Sequence, residues 1–277
     1  MKKNFKKIIT IEVVALAVLC LFCGYLLFNY KSNDVIDNDS EPTEEVELIS
    51  KEDVACIEEY DEYSVYEAFK GIIKFDSGLI DLPFVQGIDN DFYLRRNWLT
   101  NEYSELGSIF MDYESSLDSK NIVLYGHYVY SSYEVLDDDG NRLDNEKLMF
   151  TPLSNLIDED NYSDNKYVSL VLEDEVRTYE VVSVFYCNLV KDGDDYYPDE
   201  YLEYYLNEFS DEYFDKYKEK IKSLEFYDTG VDFSNDDSFL TLQTCVENRE
   251  DLREIVLCKQ VSSRTLDRDA YNQYLSN

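Results

Sequence analysis

One histidine and one cysteine of this chain stand where their side chains could react together. His127 is the only histidine and closes the run Asn121-Ile-Val-Leu-Tyr-Gly-His127, while Cys245 closes the run Phe239-Leu-Thr-Leu-Gln-Thr-Cys245. Both runs are apolar and rich in β-branched residues, which predicts buried strands whose ends hold a side chain in a fixed position. A free thiol with a pKa of about 8.5 attacks only as the thiolate and needs a neighbouring base or cation. The pair therefore indicates nucleophilic catalysis, with Cys245 as nucleophile and His127 as its base.

An arginine would complete such a site, because attack on a carbonyl creates an oxyanion that needs positive charge or N–H donors. Arg253 abuts the next predicted strand and would be fixed by it, whereas Arg249 belongs to the polar turn from Val246 to Asp251. We therefore prefer Arg253. Taken singly, each residue also has a structural explanation: a satisfied polar histidine, an inert buried cysteine or a solvated arginine.

Short strands separated by turn formers make up most of the chain after residue 80. The strand-like segments are 82–86, 108–112, 121–125, 167–172, 177–185, 239–244 and 254–261. About seven short strands predict a mostly antiparallel barrel or sandwich.

Helices are expected in two places. Val54 to Lys70 has a loose helical spacing that fits one or two short helices. A helical insertion is expected at about 188–238, where two apolar stripes recur at three- and four-residue steps. The stripes are Tyr201, Tyr204, Tyr205 and Phe209, then Tyr213, Tyr217, Ile221 and Leu224.

The amino-terminal residues predict a membrane anchor. Residues 1–7 form a basic tail with four lysines, and residues 8–28 are almost wholly apolar. Such a segment is long enough to cross a bilayer of about 30 Å as a helix, with its amino terminus in the cytoplasm. A cleaved signal peptide is the alternative, but Asn29 to Asn33 offers no Ala-x-Ala-like site. We predict a single-pass membrane protein with an acidic extracellular stalk over 29–53 and a folded extracellular domain over 54–277.

Composition excludes several classes of function. The formal charge of −35 argues against a nucleic-acid partner, since a phosphate backbone would be repelled. One histidine and no Cys-x-x-Cys pair outside the predicted span leave too few ligands for zinc. The six cysteines show no disulfide framework, although Cys56 and Cys187 could pair. No metal or organic cofactor is expected.

The ordered motifs resemble those of sortases, the membrane-anchored transpeptidases of Gram-positive surfaces. Thr241-Leu-Gln-Thr-Cys245 with Arg253 eight positions on resembles the sortase cysteine motif, and Tyr125-Gly-His127 resembles the histidine motif. Segments 84–90, 107–113 and 149–153, the extra N-terminal helices and the insertion before the cysteine strand are most similar to class B sortases.

The resemblance implies an eight-stranded β-barrel and a cysteine transpeptidase without cofactors. Cys245 would cleave a C-terminal LPxTG/NPxTN-like sorting signal of a surface protein after its threonine and hold the acyl group as a thioester. His127 would move protons and Arg253 would stabilise the oxyanion. An amino group of a peptidoglycan precursor would accept the acyl group. Asn90, Leu94, Gln243 and Thr244 would contact the signal.

The sequence differs from the class B pattern in two places, and two alternative functions stay open. Gln243 stands where class B enzymes commonly have serine, and the segment from Tyr128 to Lys147 is long and acidic, which would favour basic or neutral signals. A catalytically silent surface adhesin or scaffold could keep the same barrel. A cysteine peptidase would use the same chemistry and let water take the acyl group.

Overall fold

The computed structural model describes residues 49–137, 139–188 and 202–276. The predicted basic tail, membrane span and all but the end of the predicted stalk lie outside these residues. Within the described part, no helix has the length and apolar character needed to span a bilayer. Helix α1 (Lys51–Tyr63) begins inside the last residues that we expected to be stalk, because the Ser50 side chain caps it by accepting from the Asp53 backbone N–H.

Eight strands close into a barrel in the described part of the chain, which confirms the predicted closed barrel. They are β1 (Phe69–Phe75), β2 (Asp81–Gln86), β3 (Ile109–Met111), β4 (Asn121–Tyr125), β5 (Tyr167–Val171), β6 (Glu175–Asn188), β7 (Phe239–Val246) and β8 (Arg249–Thr265). Their order around the barrel is β1-β2-β3-β4-β7-β8-β6-β5. The β2–β3 and β4–β7 pairs are parallel and the other six are antiparallel. The predicted, mostly antiparallel arrangement is therefore confirmed.

Strand β1 was not predicted, because its first residues were assigned to a helix reaching Lys70. The helix ends at Tyr63 instead. In β1, Ile73 faces the main core while Ile72 packs in the cluster beneath α1, so both faces of the strand are covered. A strand buried on both faces loses the alternation of apolar and polar residues that marks a strand in a sequence.

The remaining described helices are α2 (Tyr162–Asn165), α3 (Asp211–Leu224) and α4 (Arg268–Leu275), with 3-10 turns at Asn145–Lys147, Thr151–Ile157 and Glu159–Asn161. Apolar side chains fill the barrel. A second cluster lies between α3 and the outer face of β6, β7 and β8. A third cluster packs α1 and α4 against β1.

Within the described residues of the predicted insertion, only the second of the two apolar stripes is helical. Helix α3 buries Tyr217 and Ile221 as the second stripe predicted. Residues 202–209, which hold the described part of the first stripe, form no helix, with a turn at Tyr204 and Tyr205 and a bend at 207–208. The Asn121 side chain donates to the backbone carbonyls of Tyr204 and Leu206, at 3.1 and 2.9 Å. These contacts satisfy carbonyl groups that a helix would use for its own hydrogen bonds.

Candidate active site

The parallel pairing of β4 with β7 places His127 beside Cys245. Tyr125 pairs with Gln243, and the ladder continues as the Gly126 N–H donates to the Gln243 carbonyl at 3.1 Å. His127 and Cys245 each lie two residues beyond this pair, at the carboxyl ends of neighbouring strands, whose axes run about 5 Å apart. Both residues line the same two cavities. The structure thus brings the predicted nucleophile and base together.

Arg253 is the cross-strand partner of the cysteine. The Cα atoms of Cys245 and Arg253 are paired in the antiparallel β7–β8 ladder. Directly opposed residues present their side chains on the same face of a sheet. Arg253 lines a 260 Å³ cavity together with Cys245 and His127. Three adjacent strands therefore supply the three predicted groups.

Arg249 lies in β8 and not in the turn to which it was assigned. The turn is the pair Glu247 and Asn248, and Asn248 adopts a positive φ of 62° that a tight hairpin requires. Arg249 forms an exposed ion pair with Asp251 at 2.9 Å. It does not line either cavity at the cysteine. The structure thus places Arg253 and not Arg249 at the cavity of Cys245, and the predicted start of the strand was wrong.

The backbone carbonyl of Leu94 sets the tautomer of the histidine. His127 Nε2 lies 2.6 Å from this oxygen, which can only accept, so Nε2 carries the proton. In the neutral ring the lone pair is then on Nδ1. Burial lowers the pKa of His127, and the bond to Leu94 opposes that shift. The imidazole is therefore neutral at pH 7 and able to accept a proton.

Glycine is required where the chain passes this carbonyl. Gly107 adopts a φ of 59°, and a Cβ there would stand 2.4 Å from the Leu94 oxygen. Only glycine leaves the carbonyl in place under both constraints. Gly107 therefore helps to hold the acceptor that orients His127.

Among the described cysteines, Cys245 is the one that lines the two cavities. Cys187 and Cys258 are fully buried, and burial raises the pKa of the Cys258 thiol far above its usual range. Cys56 lies half-buried in α1, where burial raises its pKa. All four described cysteines are free, so the open possibility of a bridge between Cys56 and Cys187 is not realised in this structure. Cys245 is partly exposed and opens onto both cavities, as a nucleophile must.

Two of the predicted contacts to a sorting signal lie in the smaller cavity. Asn90 and Leu94 both line it. The Asn90 amide donates to Asp112 Oδ2 at 2.8 Å, and the Tyr125 hydroxyl donates to the same oxygen at 2.7 Å. Asp112 thus fixes two side chains of the cavity wall, a role that no spacing in the sequence indicated.

The other two predicted contacts behave differently. Gln243 lines the smaller cavity, and its Oε1 accepts from the Tyr204 hydroxyl at 3.0 Å. Thr244 lies on the opposite face of β7 and is fully buried. Side chains alternate along a strand, so the residue next to Cys245 points to the barrel interior. The expected contact between the Thr244 side chain and a substrate is therefore not supported.

No pattern in the sequence indicated the second, larger cavity, which has a volume of 420 Å³. It shares Cys245 and His127 with the first but extends along the segment after the histidine. Its other lining residues are Arg95, Glu105, Leu106, Tyr128, Val129, Tyr130, Ser132, Tyr133, Glu134 and Val135. Among the described residues, Asp137 and Asp139 line neither cavity, whereas Glu134 of the same acidic segment lines the larger one.

A buried carboxyl lies directly behind the site. Glu254 is 1% exposed and pairs with Thr244 across β7 and β8, on the face opposite Cys245 and Arg253. Within the described residues, Glu254 Oε1 and Thr244 Oγ1 have no hydrogen-bond partner. Burial raises the pKa of Glu254 to about 8. The carboxyl is therefore a neutral acid at pH 7.

We expect Glu254→Gln to gain stability relative to the unsubstituted protein as the pH rises from about 4.5 to about 8. In this window the unfolded chain carries an ionised Glu254 while the folded chain keeps the proton. The free energy of unfolding of the unsubstituted protein therefore falls with pH, by roughly 1 kcal/mol per pH unit from this group. Glutamine does not titrate. Urea unfolding of both proteins at pH 5, 6.5 and 8 measures the difference, and a constant difference would contradict a buried protonated Glu254.

Comparison with known proteins gives a consistent set of relatives. No protein-family model matches the chain. A 50-residue segment is 46% identical to sortase B of Listeria monocytogenes, and this match covers 17% of the chain and only 20% of that curated relative.

Solved structures match over a longer range. Sortase B of Clostridium perfringens is 31% identical with a TM-score of 0.58, over 74% of this chain and 100% of that chain. Sortase B of Bacillus anthracis is 26% identical with a TM-score of 0.55, over 76% and 93% of the two chains. A sortase B–substrate complex of Staphylococcus aureus has the same fold, at 21% identity and a TM-score of 0.57, over 74% and 86%.

Proposed function

The chain belongs to the sortase family as a class B-like member, and from that premise we propose that it is a cysteine transpeptidase. Its substrate would be a surface protein with a C-terminal LPxTG/NPxTN-like sorting signal, cleaved after the threonine. Its acceptor would be an amino group of a peptidoglycan precursor. The observation that carries the proposal is the convergence of Cys245, His127 and Arg253 on one cavity from three adjacent strands.

The first half of the reaction forms a thioester. His127 accepts the thiol proton at Nδ1, and the Cys245 sulfur attacks the carbonyl carbon after the threonine. The carbonyl oxygen becomes an oxyanion, which the Arg253 guanidinium stabilises. When the C–N bond breaks, the imidazolium gives its proton to the departing amine. The acyl group is left on sulfur.

The second half reverses these steps with a new amine. The incoming ammonium first loses one proton to solvent, and the neutral amine then attacks the thioester carbon while His127 accepts a second proton from its nitrogen. The C–N bond forms, the C–S bond breaks and the imidazolium returns that proton to the sulfur. Water in place of the amine would give hydrolysis, which is the peptidase alternative.

The proposal includes an anchored location. Residues 8–28 would hold the chain in the cell membrane with its amino terminus in the cytoplasm, and residues 29–53 would link the span to an extracellular domain over 54–277. The apolar run and its flanking lysines support this arrangement.

Intact mass measurement after incubation with LPxTG-type and NPxTN-type peptides tests the proposal. We expect an acyl adduct on Cys245, since it is the described cysteine that lines the two cavities, while Cys187 and Cys258 are buried and Cys56 lies in α1. Adding a primary amine should then replace the free acid with an amide product. Cys258→Ala is the matched control and should still form the adduct.

Two outcomes would favour the alternative functions over a transpeptidase. Absence of any adduct would support a catalytically silent adhesin or scaffold. An adduct that yields free acid at every amine concentration would support a cysteine peptidase.

A further inference from the structure

Two cavities meet at the reacting pair and then diverge. The smaller one contains Arg253 and Gln243, and the larger one contains the segment from Tyr128 to Val135. Cys245 and His127 border both. On the proposed function, the acyl group must lie beside the arginine that stabilises its oxyanion. When the thioester has formed, the smaller cavity is therefore filled and the larger one is open beside His127.

The geometry points to the larger cavity as the binding site of the acceptor, which it takes as a primary ammonium between a wall of tyrosines and the Glu134 carboxylate. This inference rests on the proposed function and assigns to it the side from which the amine arrives. It also assigns a role to the long segment after the histidine, which the fold of the barrel does not require.

The tyrosine wall consists of Tyr128, Tyr130 and Tyr133. Ring centroids are 5.7 Å apart for the first pair and 5.5 Å apart for the second, so the three rings form a continuous row. Aromatic faces attract cations because their π-electrons present negative charge. The row therefore suits an ammonium group and its alkyl or peptide stem.

Hydrogen bonds to Glu247 and Asn145, which lie outside the Tyr128–Val135 segment, hold the tyrosine wall in place. The Glu247 carboxylate in the β7–β8 turn accepts from the Ser131 backbone N–H at 3.0 Å and from its hydroxyl at 2.6 Å. The Asn145 amide donates to the carbonyls of Tyr130 and Tyr133, at 2.8 and 2.9 Å. The segment is thus tied to the hairpin that carries Cys245, and the wall is fixed relative to the nucleophile.

The charges of the cavity also favour a cation. Arg95 and Glu105 form an ion pair at 3.3 Å, so together they contribute no net charge. Glu134 lines the cavity and, within the described residues, has no cationic partner. One negative charge is therefore left for the ligand. An acceptor with an acidic group beside its amine would be repelled, whereas a simple primary amine would be attracted.

The partition of the thioester between two fates tests this site. The full chain is acylated with the sorting-signal peptide, and triglycine amide serves as the amine probe. The ratio of amide product to free acid is measured at several amine concentrations. We expect Glu134→Gln to lower this ratio about fivefold at subsaturating amine, and Glu134→Lys about tenfold. Asp139→Asn, which removes a charge from the same segment outside both cavities, should leave the ratio unchanged.

Three results of this experiment would contradict the inference. A thioester whose partition ratio is unchanged in both Glu134 variants would overturn this inference and leave the proposed function intact. An equal fall in Asp139→Asn would also overturn it, because the effect would then come from the overall charge. Absence of a thioester in the unsubstituted protein would overturn the proposed function and this inference with it.

Discussion

Arg253→Ala is expected to lower kcat/KM for a sorting-signal peptide by about 10²- to 10³-fold, the usual effect of losing one oxyanion donor. Arg253 lines the smaller cavity with Cys245 and is its cross-strand partner. No methyl side chain can supply the charge that the oxyanion needs. Steady-state cleavage of a peptide labelled on both sides of the threonine measures the loss.

Arg249→Ala is the matched control for this experiment. Arg249 lies four residues away on the same strand, but it is exposed and paired with Asp251 outside both cavities. We expect the Arg249 variant to keep most of the activity. If it lost more activity than the Arg253 variant, the assignment of the oxyanion donor would be wrong.

His127→Ala is expected to slow peptide cleavage by about 10²- to 10⁴-fold, because both deprotonation of the thiol and protonation of the leaving amine are lost. An activated ester of the same acyl peptide separates these two roles, since its leaving group needs no proton. We expect the ester to restore part of the rate, because its leaving group departs without a proton.

Cys245→Ala provides the reference for the histidine variant and should be inactive with both substrates at every pH. Equal losses with peptide and ester in His127→Ala would argue against proton transfer to the leaving amine. A positional role for His127 would then explain the result better.

The residues of the candidate active site could be predicted because each one borders an apolar run that is recognisable in the sequence. Each of Cys245, His127 and Arg253 is tied to the end or start of a strongly apolar strand, and the structure places all three at one cavity. What the sequence did not reveal is the pairing that brings them together. Parallel register between β4 and β7 depends on the whole barrel, which no local pattern encodes.

The features that the sequence did not predict correctly have distinct physical causes. Burial of β1 on both faces removed its alternation, and contacts from Asn121 replaced helical hydrogen bonds at Tyr204. The resemblance assigned Thr244 to the substrate, but neighbouring strand residues face opposite sides, and Thr244 is buried on the face of β7 opposite Cys245. The larger cavity arises from hydrogen bonds between the Tyr128–Val135 segment and distant residues such as Glu247, which only the folded chain assembles.

The β4–β7 pairing has a consequence for how the chain becomes reactive. It joins Asn121 to Phe239, segments separated by much of the domain, so a large loop must close before these strands meet. Cys245 and Arg253 lie on one hairpin, whereas the imidazole joins them only when β4 pairs with β7. A chain in which β4 has not yet paired with β7 therefore has the Cys245 thiol without the His127 imidazole beside it. On the proposed function, catalytic competence is therefore gained only when β4 pairs with β7.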